Sequence, residues 1–87
     1  MMTNPNKIDV QIEYCVPCDY SDYALKVSRE LLKEFQHDIN SLTLITGSKG
    51  IFDIKINDEL VFSKNKLNRF PDTGEVSELL KEKWFNN

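Results

Sequence analysis

The sequence predicts a small α/β domain of the two-layer α+β kind, in the order β-α-β-β-β-α, with a four-stranded mixed sheet and both helices on one face. Three observations carry this. Residues 8–14, IDVQIEY, alternate strictly between apolar and polar, the period of a strand with one wet face. Tyr20, Tyr23, Ala24, Val27, Leu31 and Phe35 recur at helical spacing, as do Val76, Leu79, Leu80 and Trp84 near the end. Between these helices lie further apolar stretches separated by turn-forming residues.

In the first strand Ile8, Val10, Ile12 and Tyr14 share one side, and Asp9, Gln11 and Glu13 the other. A helix over about residues 19–36 opposes its apolar stripe with Lys26, Arg29, Lys33 and Glu34. Leu42, Leu44 and Ile45 mark a second strand, and TGSKG over 46–50 is a connection with two of the three glycines. A third strand over 51–56 places Phe52, Ile54 and Ile56 together, and Asn57-Asp58 makes a tight hairpin turn into LVFSK. Residues 65–72 read as a loop ending near Pro71, and Asp72 with Glu75 has the spacing of a capping box. A strand-helix-strand unit implies a right-handed crossover and parallel strands, whereas the short hairpin makes strands three and four antiparallel. The opposite face, with Asp9, Gln11, Glu13, Asp53 and Lys55, is then open to water or a protein partner.

At 87 residues, 40% hydrophobic and 29% charged, the chain has the composition of one ordinary globular domain. That domain is expected over residues 7–85, behind a flexible tail over 1–6. The net charge of -3 comes with interspersed signs, so no electrostatic footprint for nucleic acid or an anionic membrane exists. No apolar run reaches the length of a membrane span, and the start MMTNPNK lacks the apolar stretch of a signal peptide. A cytoplasmic location is expected.

Cys15 and Cys18, in EYCVPC, are the two cysteines of the chain. They could be half of a metal site, a structural disulfide, packing residues or a working dithiol. A reducing cytosol and a very small loop argue against a structural disulfide. Zinc needs four ligands, and one CxxC with the single histidine His37 argues against a site within one chain and leaves open one shared by two copies; His37 reads better as a helix C-terminal residue. Neither a metal nor another cofactor is expected. What favours the dithiol is position, because the pair lies where a strand hands over to a helix, the thioredoxin-type arrangement. There the helix N-terminus favours a thiolate, the reactive form, while Asp19 opposes it. One sulfur can then attack a substrate disulfide and the other resolve the mixed disulfide.

Beyond this junction the chain resembles the Rdx family, small thioredoxin-like proteins related to selenoproteins W, T and H, over about residues 7–82. The resemblance rests on IEYCVPCDY, on GIFDIKINDELVFSK and on RFPDTGEV. It implies a shortened thioredoxin-like fold of the same β-α-β-β-β-α order. In selenium-containing members the selenocysteine position matches Cys18 and its partner matches Cys15. The resemblance therefore implies that the second position is the more reactive, whereas thioredoxin logic gives the attack to the first, expected to be more exposed. Both are named as redox-active, with a slight lean to Cys15 for disulfide exchange. Thioredoxins also place a cis-proline opposite their CxxC, and the corresponding TGSKG has no proline.

Phe70 is read as a loop anchor, Tyr14, Tyr20 and Tyr23 as core or edge residues before an aromatic collar, and Ser63-Lys64 as an edge feature with a solvated charge. Two classes of function stay open. One is a thiol oxidoreductase acting on thiol or disulfide proteins or small thiols without a bound cofactor. The other is a non-catalytic protein-binding module whose CxxC is redox-sensitive or inert. A monomer or weak dimer is expected.

Overall fold

The computed structural model describes residues 7–85. The tail expected over 1–6 lies outside the described residues. The elements are β1 (Ile8–Cys15), α1 (Ser21–Phe35), β2 (Ile39–Gly47), β3 (Phe52–Ile56), β4 (Glu59–Ser63), α2 (Lys64–Leu67) and α3 (Glu75–Leu80), the last running into a π-helical turn at Lys81–Phe85. The sheet order is β2-β1-β3-β4. β1 runs parallel to β2 and antiparallel to β3, and β3 runs antiparallel to β4.

The period-two alternation of β1 decides which face is dry. Ile8, Val10 and Ile12 are buried, their β3 neighbours Phe52, Ile54 and Ile56 are buried with them, and Phe62 of β4 completes the layer. α1 covers this face with Ala24, Val27, Leu31 and Phe35, and α3 with Val76 and Leu80. One core thus lies between the sheet and the helices. Glu30 ties the helices together, its carboxylate accepting the N–H of Gly74 at 3.4 Å. On the other face Gln11, Glu13 and Asp53 are half-buried and Lys55 is exposed, with no helix over them among the described residues.

Local chemistry sets the boundaries. Asn57 and Asp58 both adopt positive φ, 51° and 67°, the type I′ geometry that matches the twist of a hairpin. The Asn57 side-chain carbonyl also accepts the N–H of Asp9 at 2.9 Å. α1 starts at Ser21 and not at 19, because Asp19 turns left-handed at φ 59° and breaks the helical path. Residues 64–67, expected to end the fourth strand at Lys64 and enter a loop at 65, form one helical turn that Asn68 ends at φ 59°, its N–H donating to the Lys64 carbonyl. Four residues are too few to show a helical period in the sequence.

The capping box before α3 is half formed. The Glu75 carboxylate accepts the N–H of Asp72 at 2.9 Å, but the Asp72 side chain caps nothing, since Gly74 at φ 81° occupies the cap position. His37 is exposed in the turn after α1, as expected of a residue at a helix C-terminus. No helix of the described residues is long and apolar enough to cross a membrane.

Candidate functional site: the dithiol at the end of β1

β1 is flanked on both sides, so its last residue is held from two directions. The N–H of Cys15 donates to the Ile51 carbonyl at 2.9 Å, and the N–H of Val16 donates to the Gly47 carbonyl at 3.0 Å. Beyond Val16 the chain leaves the sheet. Val16, Pro17, Cys18 and Asp19 form a turn closed by the Asp19 N–H on the Val16 carbonyl at 2.9 Å, with Pro17 at the second position, where its fixed φ suits a turn. The Tyr20 N–H then reaches back to the Cys15 carbonyl at 3.1 Å. The loop between the cysteines is therefore fixed at both ends by backbone hydrogen bonds.

This brings Cys15 and Cys18 together. Their Cα atoms are 5.3 Å apart and their sulfurs are at disulfide distance. Their environments differ sharply: Cys15 is fully buried, and Cys18 is exposed. The expectation that the first cysteine is the more exposed does not hold. Cys15 is the last residue of a central strand, walled in by the ends of β2 and β3, whereas Cys18 rides on the turn. Cys18 also stands two residues before the cap residue of α1, Tyr20, which makes no side-chain capping bond. Asp19 accepts from the Ser21 hydroxyl at 3.2 Å.

An aromatic cluster adjoins this turn. Phe70 stacks on Tyr23 with ring centres 3.6 Å apart, and meets Tyr20 and Phe52 edge-on at 4.9 and 5.4 Å. Phe70 thus anchors its loop, and it does so on the segment that carries the dithiol. Lys64 was expected to be solvated at a sheet edge. Its ammonium instead lies 5.5 Å from the centre of the Tyr20 ring and 5.6 Å from that of Phe70, within cation–π range, and Ser63 is buried. Tyr14 and Tyr20 are half-buried, and Tyr23 is 44% exposed. Tyr14 and Tyr20 pack against the core, and Tyr20 and Tyr23 also form the aromatic cluster beside the turn. A sequence carries no distance between residues 20 and 64, so no local signal marked this contact.

Arg69 and Glu75 brace the same loop. Both terminal guanidinium nitrogens donate to the Glu75 carboxylate at 2.7 Å. The Arg69 guanidinium, with the Asp72 N–H behind it, holds the Glu75 carboxyl at about 2, well below its ordinary 4.5. Among the described residues no group of three His, Cys, Asp or Glu side chains stands where it could hold a metal ion.

A four-stranded mixed sheet with α1 and α3 on one face and a CxxC leaving an inner strand defines a small thioredoxin-like protein. The model of the Rdx family matches residues 9–82, and the chain belongs to that family. A protein named migration and invasion enhancer 1 is similar to it, at 31% identity over 75 residues in Mus musculus and 29% in Bos taurus. The match takes in 85% of this chain but 63% of those relatives, so the chain spans less than two thirds of their length. Among solved structures, a selenoprotein W-related protein from Vibrio cholerae superposes with a TM-score of 0.84 at 25% identity, over 88% of this chain and 96% of that one. A protein from Bordetella parapertussis shares the fold at a TM-score of 0.83 and 24% identity, over 87% and 96%.

Proposed function

We propose that this protein is a thiol-disulfide exchange protein of a reducing compartment, with Cys18 as the attacking sulfur and Cys15 as the resolving one. The observation that carries this is the unequal burial of two sulfurs within bonding reach of each other. A substrate disulfide can approach only a sulfur it can touch. The Cys18 thiolate attacks one sulfur of a substrate disulfide, and the other substrate sulfur leaves as a thiolate and takes up a proton. Cys15, after losing its own proton, attacks the Cys18 sulfur. The Cys15–Cys18 disulfide forms and the second substrate thiol is released. Two electrons pass from the dithiol to the substrate, and a reducing thiol reverses the cycle on the protein.

The test uses insulin and glutathione disulfide as probes. Cys15→Ser leaves the exposed sulfur without its resolver and should accumulate a mixed disulfide, whereas Cys18→Ser should not. Accumulation by Cys18→Ser alone reverses the roles, and accumulation by neither leaves a protein-binding module as the reading.

A further inference from the structure

The two edges of the sheet are built differently. β4 has five residues, a bulge opposite Ile54 and Lys55, and a charged Glu59 paired with Lys83. These are devices that keep an edge from pairing with another chain. β2 has nine residues, INSLTLITG, with no charge and no proline, and none of them is buried. Because the Gly47 carbonyl accepts from Val16 on β1, alternation turns the N–H and C=O groups of Leu42 and Leu44 outward, away from β1. The bulge at Asn40, between the pairs Ile8–Ile39 and Asp9–Ser41, limits the regular ladder to residues 41–47.

The helix layer extends this edge. Glu30 and Glu34 on one flank of α1 meet Gly74 and Lys81, so α3 lies on that side. Leu25 and Leu32 fall on the opposite flank, toward β2, and are 56% and 42% exposed. Leu42 and Leu44 share the helix-bearing face with Val10 and Ile12, their partners on β1, and Leu44 is 38% exposed. An apolar strip therefore runs from the helix onto an unpaired strand edge.

We propose that the occupant of this edge is a second copy of the same chain, paired antiparallel through β2 about a two-fold axis at Thr43. The sequence is self-complementary in that register. Thr43 faces Thr43 of the copy, a favoured cross-strand pair. Leu42 faces Leu44 on both sides of the axis, and each of these pairs exchanges both N–H···O bonds, because their amides point outward. No like charges meet anywhere along the strand, and Leu25 and Leu32 of both copies border the seam. The two sheets become one of eight strands, with the dithiols at opposite ends. Such an interface is isologous and closes at two copies.

Sedimentation equilibrium of the wild type over micromolar to millimolar concentrations should show a monomer–dimer equilibrium. Thr43→Lys places like charges opposite each other and should weaken self-association by roughly tenfold or more, as should Thr43→Glu. Mixing the two variants should restore a dimer that contains one of each. Exposed Thr43 makes misfolding of these variants checkable by circular dichroism. In the wild type, amide exchange at Leu42 and Leu44 should slow as concentration rises. A protein that stays monomeric throughout, or a dimer that survives both charge variants with unchanged exchange at Leu42 and Leu44, overturns the proposal.

Discussion

Gly47 lies against Ile51 so closely that a Cβ added to it would stand 2.7 Å from Ile51 Cγ2 and 3.0 Å from Glu13 Oε2. The carbonyls of these two residues hold the end of β1, Gly47 accepting from Val16 and Ile51 from Cys15. A methyl group at Gly47 must therefore displace the Ile51 side chain and crowd that of Glu13 at the place where the dithiol is fixed. Gly47→Ala should cost about 1–3 kcal/mol, as overpacking does, in urea unfolding. It should also change the rate of mixed-disulfide formation. An unchanged midpoint and rate would show that the strand ends yield without moving Cys15.

The strands, their order of types and the turn at Asn57-Asp58 were legible because alternation and turn chemistry are local. The position of Cys15 and Cys18 at the β1–α1 junction was legible for the same reason. Their unequal burial was not. It depends on β2 and β3 closing on both sides of Cys15 through Gly47 and Ile51, residues 32 and 36 positions away in the chain. Likewise Lys64 looked solvated because nothing local places it over Tyr20 and Phe70, and Asp19 looked helical because its left-handed φ leaves no periodic trace. Leu25 and Leu32 lay outside the apolar stripe of α1, so the period did not mark them as a second surface.

The Arg69–Glu75 pair predicts an acid dependence with a definite sign. The Glu75 carboxyl is held at about 2 when folded, below its ordinary 4.5, so its contribution is fully present above 4.5 and is lost as pH falls through 2. Arg69 is still half exposed, which screens the pair; about 1–2 kcal/mol at neutral pH is expected. Glu75→Gln should lose that amount at pH 7 in denaturant unfolding. The gap from wild type should narrow below pH 4.5 and close near 2. A gap independent of pH would show that ionisation of Glu75 contributes nothing to stability.

Phe70 joins the loop before α3 to Tyr20 and Tyr23, which follow Cys18 in the chain. Its ring is half-buried, so Phe70→Ala should fall below the range for a full core truncation, at about 2–3 kcal/mol. Lys64→Gln should cost about 0.5–1 kcal/mol through the lost cation–π contact. Since Lys64 lies over the Phe70 ring, the two losses should not add, and the double variant should be less destabilised than their sum. Strict additivity would show that the Lys64 ammonium gains nothing from the Phe70 ring and would leave Tyr20 as its aromatic partner.

At the far end of β3 the hairpin carries a conformational cost that can be removed. Asp58 sits at φ 67° and Asn57 at φ 51°, and an L side chain is disfavoured in this left-handed region. Asn57 is held by its side-chain bond to the Asp9 N–H and by its own N–H on the Asp9 carbonyl, both at 2.9 Å. Among the described residues no hydrogen bond or ion pair holds the Asp58 side chain, which is exposed. Asp58→Gly therefore relieves the strain without removing a contact, at the cost of a more flexible unfolded chain. A net gain of about 0.5 kcal/mol is expected from the Asn-Gly preference of type I′ turns, read as a higher urea midpoint with an unchanged slope. Asn57→Gly should instead destabilise, because the bond to Asp9 is lost, and the opposite ranking of the two variants would place the strain at Asn57.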